Sequence, residues 1–469
     1  MVKRINPIAP IVLAVLIMVS CSPFRPKERP GPQGDLPQLY SLYTGPAEPA
    51  QRWWHTFEAP ELDRLVNEAL SDSFSLKAAW ARLRQTEAIA RIVGADLYPD
   101  LNGTAGALYA RQRSDKGSGG TESFEEYSLG LVSSYELDLW GRIRSKREAA
   151  ILQISATRED LHAAAITLSA EVTNRWIRII SQQLEKNLLK KQLEANLIFL
   201  ELIELRFRKA MVSALDVYQQ KQVVENVRAD IPLAEAEEQL LMHELAVLIG
   251  KPPTTALAIS QTDLPKMAEL PATGLPADLL ATRPDVRSAG SRLKAADWQV
   301  AAARADRLPS IALTGRVIYG QGDLDVLFNN WLLSLAGNLT APILDGGRRA
   351  AEVDRTVAVA DENLWSYRRT VLTAIKEVED ALVGENKQRA HIEALEQVYD
   401  AARRGLEEAV ERYRNGLSDY LPVLTQLLTT QNLERDLIRQ RTLLLLNRVS
   451  LHRALGGAWI KDLAPDGLS

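Results

Sequence analysis

The 469-residue sequence predicts a mainly α-helical protein that also carries membrane-spanning β-strands, folded from an internally duplicated chain. Three observations lead there. Motifs recur in the same order through the two halves, four short segments alternate polar and apolar side chains, and each half holds one long run almost free of Pro and Gly.

The duplication sets the frame. Residues 94–101 (GADLYPDL) return as 304–311 (RADRLPSI), and Trp140-Gly141-Arg142 returns as Gly346-Gly347-Arg348. Arg206-Phe207-Arg208-Lys209-Ala210 pairs with Arg412-Tyr413-Arg414-Asn415-Gly416, and Leu248-Ile249-Gly250 with Ala454-Leu455-Gly456. The offset is 210 residues at the first motif and 206 at the others, so one architecture is built twice, over residues 51–264 and 265–460, with a tail at 461–469.

Bulk properties exclude several classes. At 46% hydrophobic and 25% charged the chain can bury a large core. Its net charge is -4 and it has no basic block, which argues against a nucleic-acid partner. Five scattered His show no metal-ligand spacing, and no phosphate loop or nucleophile elbow is present. No catalytic residue, metal site or cofactor is therefore assigned, and the chain is read as a non-enzyme.

Residues 1–20 carry Lys3 and Arg4, then an apolar run over 11–19 that is too short to span a bilayer, which together describe a signal peptide. Cys21 is the only cysteine, so no intramolecular disulfide can form. Met18-Val19-Ser20-Cys21 resembles a bacterial lipoprotein box, with Met18 in place of the more usual Leu. The resemblance implies lipidation at Cys21, and Ser22 after it implies sorting to the outer membrane. Residues 21–50 are dense in proline (Pro23, Pro26, Pro30, Pro32, Pro37, Pro46) and read as an extended tether.

The alternating segments lie at about 100–112, 124–139, 310–321 and 331–343. In the second, Tyr127, Leu129, Leu131, Tyr135 and Leu137 occupy odd positions, against Ser128, Gly130, Ser134 and Glu136 at even ones. The others share this odd phase. Roughly ten residues is what a tilted strand needs to cross the hydrocarbon layer. A soluble half-buried sheet would alternate in the same way; the export signal and the duplication favour the membrane. Tyr109, Phe124, Tyr127, Tyr319, Phe328 and Trp331 flank the loops at 112–121 and 320–330, as an aromatic girdle would. Four strands cannot close a barrel, and each backbone group left open in lipid costs on the order of several kcal/mol, so copies of the chain must share one wall. About eight strands from two chains would fill their own interior, whereas three chains leave room for a lumen. The strands alone allow either, and a conducting role favours three.

The long runs predict helical hairpins at about 142–250 and 347–456, the first rising about 100 Å over its opening helix if continuous. Leu161, Ala165, Leu168, Val172, Ile179, Leu189, Leu193, Leu200, Ile203 and Phe207 mark a coiled-coil seam with polar interruptions at Arg175, Gln182 and Lys186. Such hairpins suit either a tube or a solid stalk. Pro232 is expected to kink or interrupt the first return helix. Gly416 suits a left-handed turn better than Ala210, so the two tips are expected to differ in shape.

Together, Trp53-Trp54-His55-Thr56-Phe57, Leu62-Asp63-Arg64-Leu65-Val66, residues 134–142 (SYELDLWGR), Arg283-Pro284-Asp285-Val286-Arg287, Leu344-Asp345-Gly346-Gly347-Arg348 and residues 454–459 (ALGGAW) resemble the outer-membrane efflux channels of the TolC type, NodT-like lipoprotein branch. The resemblance implies a homotrimer with a twelve-stranded barrel in outer-membrane lipid and a twelve-helix periplasmic tunnel. It implies a passive exit duct for drugs or other small toxic compounds, coupled through a periplasmic adaptor to an inner-membrane pump of the resistance-nodulation-division (RND) class. A type I protein or peptide secretion channel and a lipid-anchored scaffold are the alternatives. Family adaptor contacts fall on the tips, here Arg206, Arg208, Ala210, Met211 and Ser213, and Arg412, Arg414, Gly416, Leu417 and Ser418. Gate candidates are Asp216, Tyr413 and Asp419; Pro422 and Thr425 stand where some members carry acids.

Overall fold

The computed structural model describes residues 52–113 and 121–457, with 23–27, 29, 36–42 and 45 ahead of them. The signal segment 1–20, Cys21, most of the tether, the middle of the 112–121 loop and the tail at 461–469 lie outside the described residues. The chain forms two compact units, one built on Arg82–Arg158 and Ser288–Arg368, the other on Pro32–Ala81, Glu159–Arg287 and the chain from Arg369 onward. In order, the elements are α1 (Pro60–Asp72), α2 (Phe74–Ala95), β1 (Asp100–Arg113), β2 (Thr121–Leu137), α3 (Arg142–Arg208), α4 (Ala214–Leu248), α5 (Leu279–Thr282), α6 (Pro284–Ala305), β3 (Ser310–Gln321), β4 (Trp331–Thr340), α7 (Arg348–Arg414) and α8 (Tyr420–Leu455).

The first unit holds one antiparallel sheet in the order β1-β2-β3-β4. The two hairpins are therefore fused by pairing β2 with β3, which links the repeats. β2 ends at Leu137 rather than 139 because Asp138 leaves the ladder: its carboxylate accepts from the amides of Ile143 (2.9 Å) and Arg144 (2.9 Å), two orphan donors at the start of α3. β4 ends at Thr340 rather than 343, just short of Pro342, which has no N–H for a ladder. Asp345 repeats the capping at α7, accepting from Gly347 N (3.1 Å) and Arg349 N (3.3 Å).

α3 and α7, each 67 residues long, begin in the first unit and run into the second, where they turn back into α4 and α8. The seam is buried at Leu161, Ala165, Leu168, Val172, Ile179, Leu189 and Ile203, half-buried at Leu193 and Leu200, and exposed by Phe207. Two of its three polar interruptions are paired across the hairpin, Arg175 with Glu244 and Lys186 with Glu238. Of the two outcomes expected at Pro232, interruption does not occur: α4 runs through it. The proline is exposed, so the carbonyl it frees one turn earlier, on exposed Arg228, can be hydrated. Gly250 and Gly456 close α4 and α8 with φ of +76° and +80°. A Cβ at Gly250 would lie 2.5 Å from the Asp72 carbonyl oxygen, and one at Gly456 3.0 Å from that of Thr282. Each glycine lets a long return helix end against the backbone of a short one, and this explains why both repeats keep it.

Near the end of α8 a buried ion pair fastens the segment between the repeats. Arg448 and Glu385, both almost inaccessible, are joined by two hydrogen bonds (2.9 and 2.7 Å), and Arg389 adds a third to Glu385 (2.8 Å). Arg448 also donates to the carbonyls of Ala268 (2.9 Å) and Glu269 (2.8 Å). Burial alone would raise the Glu385 carboxyl, but the two guanidinium groups outweigh it and hold it below its ordinary range.

One turn on, His452 stacks on Trp53 with centroids 5.2 Å apart. Burial, reinforced by the Arg448 charge and opposed by Glu385, depresses the imidazole to about 4. The folded ring stays neutral, while in the unfolded chain it titrates near 6.5. Between those values the unfolded state binds more protons, so stability is lost as pH falls from 6.5 toward 4, by on the order of 3 kcal/mol. Thermal unfolding followed by circular dichroism from pH 7 to 4 is expected to show this slope, and His452→Phe, which keeps the stack, to flatten it above pH 4.5.

Candidate functional site

In all three pairings of the sheet, odd residues face odd residues: Leu101 opposes Ser133, Leu131 opposes Val317, and Val317 opposes Leu333. Directly opposed residues lie on the same face. One face therefore gathers Leu101, Leu129, Leu131, Leu313, Leu333 and Leu335, all exposed. The other carries Asn102, Thr104, Ser134, Thr314, Arg316 and Asn338, with Leu108, Phe124, Val132, Ile318 and Leu332 as its large apolar members. A large apolar surface left open to solvent is what a membrane face looks like before lipid covers it. Tyr109, Tyr127, Tyr319 and Trp331 belong to the apolar face at its loop end, but Phe124 pairs with Ala110 and points to the opposite side. Phe328 sits in the 3-10 turn Leu324–Asn329 and packs edge-on against Tyr319 at 5.4 Å. The girdle is thus narrower than the sequence suggested. Among the described residues, β1 and β4 leave both outer edges of the sheet unpaired.

Where strand gives way to helix, alternating charges tie the repeats together. Glu136 is bonded to Arg142 (2.7 Å), Arg142 approaches Asp306 (3.9 Å), Asp306 is bonded to Arg349 (3.1 Å), and Arg349 to Asp345 (3.3 Å). The Trp140 indole N–H donates to the Pro309 carbonyl (2.7 Å) and carries the same link onto the backbone. Glu136, Trp140, Arg142, Asp306, Pro309 and Arg349 line a cavity of about 290 Å³.

At the tips both turns share one backbone design. Met211 N bonds to Arg206 O (2.9 Å) and Ala210 N to Phe207 O (2.8 Å); Leu417 N bonds to Arg412 O (2.8 Å) and Gly416 N to Tyr413 O (3.1 Å). Ala210 takes φ +54° and Gly416 +71°, so the expected difference in shape does not occur. The hydrogen-bonded turn imposes the left-handed conformation on alanine. Beyond the turns the helix caps do differ. Ser213 and Asp216 form a capping box, with Ser213 N to Asp216 Oδ2 at 2.9 Å and Asp216 N to Ser213 Oγ at 3.3 Å. In the second tip Asp419 is an exposed N-cap whose side chain bonds to no helix amide, and Pro422 stands where Asp216 does, in the first turn, where an N–H has no helical partner to lose.

Arg206 bridges the tips. Its guanidinium lies 4.3 Å from the centre of the Tyr413 ring and donates to the carbonyls of Tyr413 (3.3 Å) and Arg414 (3.4 Å), the exposed end of α7. Tyr413 is buried with Ile203, Val223, Tyr420, Val423 and Leu424, and burial raises its phenol. Below it runs a buried polar ladder that joins the two hairpins. The Tyr420 hydroxyl donates to Gln220 (2.6 Å), Gln220 donates to the Asn196 carbonyl (2.8 Å), and the amides of Asn196 and Gln431 exchange hydrogen bonds (3.2 and 3.1 Å). Sequence reading passed over this ladder, although Asn196 falls at seam spacing between Leu193 and Leu200. Of the candidate adaptor residues, Met211 and Leu417 are 63% and 68% exposed, Arg208, Ala210, Ser213, Arg412, Arg414 and Gly416 are exposed, and Arg206 and Ser418 are half-buried. Among the gate candidates Asp216 is engaged in its cap and Tyr413 is covered; Asp419 is open.

An apolar-faced sheet with open edges and paired helical hairpins of this length define a β-barrel membrane channel subunit. Residues 65–251 and 275–457 match the family described as outer membrane efflux protein, and the chain belongs to that family. It is 33% identical over 424 residues to the pyoverdine export outer membrane protein OpmQ of Pseudomonas aeruginosa, covering 89% of each chain. It is 31% identical over 409 residues to the solvent efflux pump outer membrane protein SrpC of Pseudomonas putida, covering 86% of each. The solved outer-membrane channel OprN superposes with a TM-score of 0.87 at 28% identity, covering 94% of this chain and 100% of that one. The protein is an outer-membrane efflux channel component.

Two measurements check the geometry. Leu131→Arg, on the apolar face, is expected to destabilise the assembled barrel by roughly 2–4 kcal/mol, whereas Val132→Arg, one residue on and facing the other way, is expected to be nearly neutral, read as loss of heat-modifiable bands. Ala210→Gly is expected to stabilise the first tip by about 1 kcal/mol, read as slower amide exchange there.

Proposed function

We propose that three copies of this chain close a single wall, four strands from each giving twelve in all, and that the helical hairpins line a tunnel through which small molecules leave the periplasm. The observation that carries this reading is the sheet: an apolar face in continuous odd register, bounded by two edges that hydrocarbon cannot satisfy. An eight-stranded wall from two copies would be filled by its own side chains, and an exit duct needs the wider one.

The duct supplies no energy. It takes cargo from an inner-membrane pump of the resistance-nodulation-division class through a periplasmic adaptor, which docks on the exposed tip residues around Met211 and Leu417. The names of the relatives, for pyoverdine and for solvents, support small-molecule cargo and also support a lumen that leaves selection to the pump. Cys21 carries the lipid that holds the mature chain to the outer membrane.

The purified lipoprotein in planar bilayers is expected to give discrete conductance steps from SDS-resistant trimers. Trimers that never conduct, even as Arg206→Ala with the tip clamp removed, would overturn the duct. A cysteine at position 416 (Gly416→Cys) is expected to cross-link to the adaptor of an RND system; capture of a type I secretion adaptor instead would reassign the pump class.

A further inference from the structure

The hairpin of β1 and β2 extends further than the rest of the sheet. Residues 121–126 of β2 pair with β1 but not with β3, whose ladder to β2 stops at Tyr127 and Gln321. This projecting part sorts its charges by face. Arg111 and Arg113 hold odd positions, opposite Ser123 and Thr121, and so continue the apolar face past Tyr109. Glu122 and Glu126 hold even positions and belong to the other face. Among the described residues of the four strands, Arg111, Arg113 and Glu125 are the only charged side chains on the apolar face. At its helix end that face presents Leu101, Tyr135, Leu137 and Leu339 and no charge. Glu125, opposite Tyr109, accepts from the Tyr127 hydroxyl (3.1 Å).

A strand advances about 3.3 Å per residue, so Arg111 lies about 7 Å beyond Tyr109 and Arg113 about as far again. Girdle aromatics mark the level at which hydrocarbon gives way to headgroups. Both arginines are exposed and leave the sheet on its lipid side just past that level. The helices depart from the opposite end of the strands, which in an outer-membrane efflux channel is the periplasmic end, so the arginines stand at the outer leaflet. The glycolipid of that leaflet carries phosphates on its sugars, and a guanidinium fork matches phosphate oxygens two at a time. Arginines that served only to keep the loop hydrated would need no preference for one face.

We infer, on the membrane wall proposed above, that Arg111 and Arg113 bind the phosphorylated sugar of an outer-leaflet glycolipid whose acyl chains lie along the apolar face below Tyr109. Because β1 is an edge strand, the bound lipid sits beside the joint between one copy and the next.

Detergent-solubilised trimers mixed with bisphosphorylated lipid A, or with the same lipid stripped of its phosphates, are read by native mass spectrometry. The parent is expected to retain the phosphorylated form at least about fivefold better. Arg111→Ala/Arg113→Ala is expected to lose that preference, and Arg111→Lys/Arg113→Lys to keep part of it, because lysine offers a point charge without the fork. Gln112→Ala, between the arginines but on the other face, is expected to match the parent. Inorganic phosphate is expected to displace the lipid no better than chloride at equal ionic strength; specific displacement would reduce the site to one for free anions and overturn the glycolipid. Equal retention of the two lipids by the parent, or an unchanged preference in the double alanine variant, would overturn the site and leave the trimer standing. A parent that forms no trimer would remove the wall and the site together. The contrast between the lipids is read on the parent, so it decides even where a variant fails to assemble.

Discussion

Backbone amides and carbonyls that hydrocarbon cannot solvate set the terms for this fold. A four-stranded sheet leaves an outer row of such groups on β1 and another on β4, and no side-chain arrangement can satisfy them in lipid. In water a charged or twisted edge would suffice, but a membrane requires closure. Assembly is therefore a condition for the sheet to exist in place, and the rest of the chain reads as the apparatus that brings copies together in register.

The duplication solves that problem economically. The same helix-start cap appears at Asp138 and Asp345, the same glycine ends at Gly250 and Gly456, and the same hydrogen-bonded turn at Ala210 and Gly416. The copies diverge at the caps of the return helices, Ser213 and Asp216 against Asp419 and Pro422, and in buried polar groups between the hairpins. Hairpin two carries Tyr420 and Gln431, hairpin one carries Asn196 and Gln220, and these groups meet inside the chain. Buried amide networks of this kind fix one pairing against others, since a partner without the matching groups leaves them unsatisfied.

Much of this was legible in the sequence because it is periodic. Alternation at Leu129, Leu131, Tyr135 and Leu137 located β2 and its apolar phase, and the repeated motifs located both turns. Less legible were features that depend on where backbone goes. Phe124 points away from Tyr127 because residues three apart in a strand lie on opposite faces, a parity that the girdle reading passed over. Proline rules allowed either a kink or an interruption at Pro232, and the helix runs on where the orphaned carbonyl can meet water. Propensity argued against Ala210 in a left-handed turn, and two cooperative hydrogen bonds overrode it. The buried Arg448–Glu385 pair joins residues 63 positions apart and left no periodic trace.

The pairing of β2 with β3 uses the same odd-to-odd register as the two hairpin pairings. A ladder so uniform cannot tell a neighbouring strand of the same polypeptide from one supplied by a paralogue of similar pattern. In a cell that makes several such proteins at once, discrimination between self and relative must be enforced by side chains of the helices, which makes the helical seams the place where mixed assemblies are rejected.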